Sequence, residues 1–229
     1  MKNKIYQFMW YKIARMLIPV GKDLNGFIRN HKRIRAQLAL SRLFGTIHGV
    51  LLGDSEHGQF DYYGVMSKFD DLTLNLAIGG TTPKDLMEYF TGIGKDVYLK
   101  IKKHSARKII STGGNCSLRC QMSEIPGTLQ EVHGLIPDSI IILIPPVYSG
   151  IIAKIYAAAK IDKPESQVLA EIDTIRRAQR SIWSPFVIDT YTPFLDPRTG
   201  GPVFGVLQDP VHFGRAVVDL IQKIYNKII

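Results

Sequence analysis

With 229 residues, 45% of them hydrophobic and 21% charged, the chain has room for one domain with a substantial core, which excludes a disordered or membrane-embedded protein. Its two cysteines, Cys116 and Cys120, are too few for a disulfide scaffold. They stand four apart with no further ligands nearby, so they read as two free thiols, and neither a metal nor a cofactor is expected. The net charge of +9 is that of residues 1–45 alone, where ten Lys or Arg stand against one acid, Asp23; the remaining chain is balanced.

The first elements lie in that cationic segment. Ile5, Met9, Ile13, Met16, Leu17 and Val20 recur at threes and fours, with Tyr6, Phe8, Trp10 and Tyr11 adding aromatic bulk, so an amphipathic helix is predicted, ended by Pro19 and Gly21. Asp23 is placed to cap a second helix running to about residue 43. Lys12 and Arg15 interrupt the apolar stretch, which does not read as a cleaved signal, and no uncharged run is long enough to cross a bilayer. The expectation is a cytoplasmic protein, peripheral to membrane if the basic helix lies on an anionic lipid surface. The same helix could instead pack on the domain with its lysines solvated, and both readings stay open. Nucleic acid is not an expected partner, because no binding motif accompanies the charge.

From residue 46 the pattern changes to short apolar runs that end in glycine or proline. Residues 46–52, 72–78, 108–112, 140–144 and 186–189 read as strands. Helices are predicted over 83–104 (with breaks at Gly92 and Gly94), about 123–135, about 164–182 and 214–228. Strand and helix in alternation imply an α/β fold: a doubly wound, mostly parallel sheet of about five strands in three layers, preceded by the helical extension of residues 1–45. Function in such sheets gathers at the carboxyl ends of the strands.

The residues at those ends carry chemistry. Gly53-Asp54-Ser55 follows the first strand and sets a serine hydroxyl at a helix N-terminus, where developing negative charge is favoured. Gly79-Gly80 after the second strand allows close approach of a backbone N–H, and Gly113-Gly114-Asn115 after the third adds an amide side chain. Asp209-Pro210-Val211-His212 offers a carboxylate and an imidazole three apart, just before the last helix. His57 is a rival base, although its adjacency to Ser55 directs it elsewhere. No Gly-x-Ser-x-Gly is present, which argues against the common α/β-hydrolase arrangement.

Together these segments resemble the SGNH (GDSL-type) hydrolase family over residues 46–229. Gly53-Asp54-Ser55 looks like its first block, Asn75–Thr82 like its second, Gly113-Gly114-Asn115 like its third and Asp209–His212 like its last. The resemblance implies a flavodoxin-like SGNH fold and a serine esterase, with Ser55, Asp209 and His212 as triad. The oxyanion hole would be formed by Ser55, Gly80 and Asn115. The sequence departs from the family at Glu56-His57, where a small apolar and a hydroxyl residue are usual, at Cys116 for aspartate and at Pro210 for glycine. These changes bear on the substrate, a lipid or O-acylated glycan ester by expectation, with Glu56 expected to point to solvent. Two other classes compete: an inactive hydrolase-like adaptor on an anionic membrane surface, and a flavodoxin-like anion- or nucleotide-binding protein that would use the glycine turns as cradles.

Overall fold

The computed structural model describes residues 2–17, 19, 25–119, 121–147, 162–207 and 212–229. The expectations for Val20, Gly21, Asp23, Cys120 and Asp209 fall outside them. Five parallel strands form one sheet in the order β2-β1-β3-β4-β5: β1 Gly49–Gly53, β2 Thr73–Asn75, β3 Arg107–Ser111, β4 Ser139–Ile142 and β5 Val187–Ile188. β1 and β3 pair over five residues, Gly49 with Arg107 through Gly53 with Ser111. Every residue of β1 is buried, as expected for a strand covered on both faces.

Successive side chains leave the sheet on opposite faces and so build two cores. Val50, Leu52, Leu74, Ile110 and Ile141 face the larger one, which gathers α5 (Pro83–Thr91), α6 (Lys95–Lys103), the single turn α7 (Asn115–Leu118), α8 (Ile125–Leu135) and α9 (Glu165–Trp183). Leu51, Ile109 and Ile142 face the other, closed by α4 (Ser55–Tyr62) and α10 (Arg215–Asn226) through Phe60, Val218, Ile221 and Tyr225. Local signals set these helices where the pattern predicts. Thr82 and Asp85 form a reciprocal capping box with Pro83 in the first turn of α5, and Gly92 and Gly94 separate α5 from α6.

The first 45 residues form α1 (Lys2–Ala14), a single turn α2 (Gly26–Arg29) capped by the Asn25 side chain, and α3 (His31–Ser41). Tyr6, Trp10, Phe27, Ile34 and Leu38 are buried in the larger core. The face that α1 buries is not the aliphatic stripe its spacing suggested: Ile5, Met9 and Met16 are exposed, and Asn3, Tyr6 and Trp10 are inside. Two large aromatics bury more apolar area than the aliphatics would. Their polar neighbours find acceptors: Asn3 Nδ2 donates to the Met66 carbonyl at 2.8 Å, and Gln7 Nε2 to that of Thr73 at 3.1 Å.

Candidate active site

The strand order reverses between β1 and β3, and the crevice outside their carboxyl ends is where ligands bind in open α/β sheets. Gly53 ends β1 with φ +110°, and a Cβ there would stand 1.6 Å from the Ser111 carbonyl oxygen, so only glycine lets the two strands close at this point. The chain then turns directly into α4. Asp54 caps that helix, its Oδ1 accepting the Glu56 N–H at 3.3 Å and the Ser111 hydroxyl at 2.6 Å. Ser55 is thereby held in the first turn of α4, at the positive end of the helix dipole.

His212 approaches from the far end of the chain. It is followed by Phe213, which is buried, packs edge-to-face on Phe194 and is bridged antiparallel to Leu207. The anchor leaves His212 Nε2 3.1 Å from Ser55 Oγ. With Nε2 unprotonated, the serine O–H donates to it, the arrangement of a nucleophile and its general base. Both residues line a cavity of about 310 Å³ whose remaining wall is largely apolar: Leu118, Ile142, Ile144, Pro145, Val147 and Ile172.

Asn115 lines the same cavity. Its Nδ2 donates one hydrogen to the Thr81 carbonyl at 3.0 Å, and a primary amide carries a second. Gly80 does not line the cavity; it occupies a left-handed turn with φ +77°. Its neighbour Gly79 is the backbone that approaches the serine, since a Cβ built on it would lie 3.7 Å from Ser55 Cβ. Thus Ser55, Asn115 and His212 share one cavity, Gly80 follows the glycine that approaches Ser55, and Asp209 is outside the described residues.

Asp54 was legible as part of a motif, but its part in the site was not. It is buried, which pushes its carboxyl up to about 6, against the pull of the Ser111 hydroxyl, the Glu56 N–H and the charge of His212. Its only advance signal was an acid just before a helix. Glu56 differs from expectation: it is half-buried and lines the cavity instead of pointing to solvent.

His57 is committed elsewhere. Its Nδ1–H donates to the Leu52 carbonyl at 2.7 Å, so Nε2 accepts the Tyr225 hydroxyl at 2.9 Å, and burial pushes its pKa down to about 4. Burial pushes the Cys116 thiol up to about 12, which removes it as a nucleophile at neutral pH. Among the described residues no three His, Cys, Asp or Glu stand together as a metal site. No described helix is long and apolar enough to cross a membrane.

This architecture has solved counterparts. A GDSL-like lipase from Bacteroides thetaiotaomicron superposes with TM-score 0.60 at 12% identity, over 89% of this chain and 97% of that one. A lipase/acylhydrolase from Enterococcus faecalis gives 0.54 at 17% identity, over 80% and 95%. The chain has the SGNH-hydrolase fold. The OSK domain of Drosophila Oskar shares it as well, with TM-score 0.53 at 15% identity over 77% of this chain and 86% of that one. No family model matches the sequence, and no curated protein does. A fold hosts many functions, so the SGNH fold directs attention to the crevice without choosing its chemistry.

Proposed function

We propose that the protein is a serine esterase of the SGNH type, cleaving a carboxylic ester through an acyl-enzyme on Ser55. The observation that carries this reading is the 3.1 Å contact between Ser55 Oγ and His212 Nε2 at the mouth of an apolar-walled cavity. Ser55 Oγ attacks the ester carbonyl as His212 takes its proton, and the carbonyl oxygen becomes an oxyanion. The Ser55 and Gly80 N–H groups and the Asn115 amide receive that oxyanion. His212 then returns the proton to the departing alcohol. Water, deprotonated by the same imidazole, releases the acid and restores Ser55. Asp209 is the residue proposed to hold the other imidazole nitrogen, with the Asp54 carboxylate adding negative potential nearby.

The apolar wall suits the acyl part of a lipid or an O-acylated glycan. The test is covalent labelling with a fluorophosphonate, comparing wild type with Ser55→Ala and His212→Ala. Labelling of wild type alone is expected. A folded wild-type protein that takes up no label would overturn the proposal.

A further inference from the structure

α1 is a helix with two committed sides. Its inner face is fixed by buried Tyr6 and Trp10 and by the Asn3 and Gln7 hydrogen bonds to backbone carbonyls. Its outer face is apolar and cationic at once. At about 100° per residue, Ile5, Phe8, Met9 and Lys12 share roughly a third of the circumference, opposite Trp10. Phe8 is 62% exposed, and Met16 in the turn just beyond the helix is 73% exposed. Lys4, Lys12 and Arg15 project among them, and α1 holds no acid. Lys12 sits 4.4 Å over the Phe8 ring and Arg15 4.3 Å over that of Tyr11, so each cation is carried on an aromatic stem. Beside this face runs an open groove of about 870 Å³, where Lys4, Arg15 and Arg33 meet Phe8, Tyr11 and Tyr62, with Asp61, whose charge Arg33 favours, also in the lining.

A helix that only needed to cover the domain would present polar residues outward, because exposed Ile, Phe and Met gain nothing in water. Apolar side chains interleaved with cations are favourable against a surface that is greasy below and negative above. We infer that the outer face of α1 and the groove beside it dock on an anionic lipid bilayer. Ile5, Phe8 and Met16 enter the acyl boundary, while Lys4, Lys12 and Arg15 meet lipid phosphates. The helix stays seated on the domain throughout, because its inner face is already used. The inference is independent of the esterase reading, since binding requires no turnover.

The test is co-sedimentation of the full chain with vesicles of phosphatidylcholine alone and of equimolar phosphatidylcholine and phosphatidylglycerol, at low and high salt. Each basic residue at a charged bilayer is worth about fivefold in partitioning, so K4E/K12E/R15E, which removes three cations and adds three repelled acids, should weaken binding to the anionic vesicles by at least about a hundredfold. I5S/F8S should weaken it with the charges intact, because neither signal suffices alone. Both variants alter exposed positions, and retained cooperative unfolding shows that they fold. Equal binding to neutral and anionic vesicles, or undiminished binding by the charge-reversed protein, would overturn the inference. So would a face occupied by a second copy of the chain, seen as a lipid-independent dimer that I5S/F8S converts to monomer.

Discussion

Asp54 couples the stability of the fold to the electrostatics of its site. Its carboxyl is 3% exposed and pushed from 3.8 to about 6, because burial disfavours the charged form more than Ser111, the Glu56 N–H and His212 favour it. The folded protein therefore holds this proton more tightly than the unfolded chain does. The contribution is fully present below about pH 3.8, declines as pH rises toward about 6 and is flat beyond. At about 1.4 kcal/mol per pH unit the window amounts to roughly 3 kcal/mol.

Asp54→Asn keeps the side-chain shape, the helix cap and an oxygen able to accept from Ser111 and Glu56, and it removes the titration. In urea unfolding the variant should nearly match wild type at about pH 4 and exceed it by up to roughly 3 kcal/mol at about pH 8. Taking the difference between the two proteins cancels the other groups that titrate over the same range. Esterase turnover should fall in the same variant, because a negative charge beside His212 stabilises its protonated form. A gap between the two proteins that does not vary with pH would refute the reasoning.

Asn115→Ala should lower kcat by about 10²–10³ while leaving the urea midpoint close to wild type, as the loss of one oxyanion donor does; near-normal turnover would remove Asn115 from that role. Tyr225→Phe leaves the buried His57 Nε2 without its hydroxyl donor, so unfolding should become easier by about 1–3 kcal/mol with turnover on a soluble ester unchanged.

The sheet was readable in advance because each strand is a short apolar run punctuated by a residue that cannot continue it. The margins moved for physical reasons. The predicted run 72–78 gives only Thr73–Asn75 as regular strand, since β2 lies at the sheet edge and pairs with β1 alone. Its continuation is still tied to β1, with Leu76 N–H donating to the Leu51 carbonyl and Ile78 N–H to that of Gly53, both at 2.8 Å. The approach of Ser55 and Asn115 to one cavity was readable because a parallel sheet delivers strand ends to one edge, whereas His212 reaches it through the anchoring of Phe213 on Leu207 and Phe194. The burial of Asp54 and the cavity-facing Glu56 depend on how α4 rotates against residues far away in sequence, and no local pattern encodes that. α1 misled for a related reason: periodicity shows that a helix has an apolar stripe, but when two stripes compete the choice is made by the surface it lands on.

Ser55 and His212 are 157 residues apart, one hung from the first strand and the other tied down just ahead of the last helix. β1 must sit in the sheet, and Phe213 must be seated against Leu207 and Phe194, before the two side chains meet. A chain still being synthesised, or one clipped before α10, carries an ordinary alcohol at position 55 with the reactivity of any surface serine. On the proposed mechanism, nucleophilic power is thus withheld until the fold is assembled, and partly made molecules pose no hazard to the esters around them.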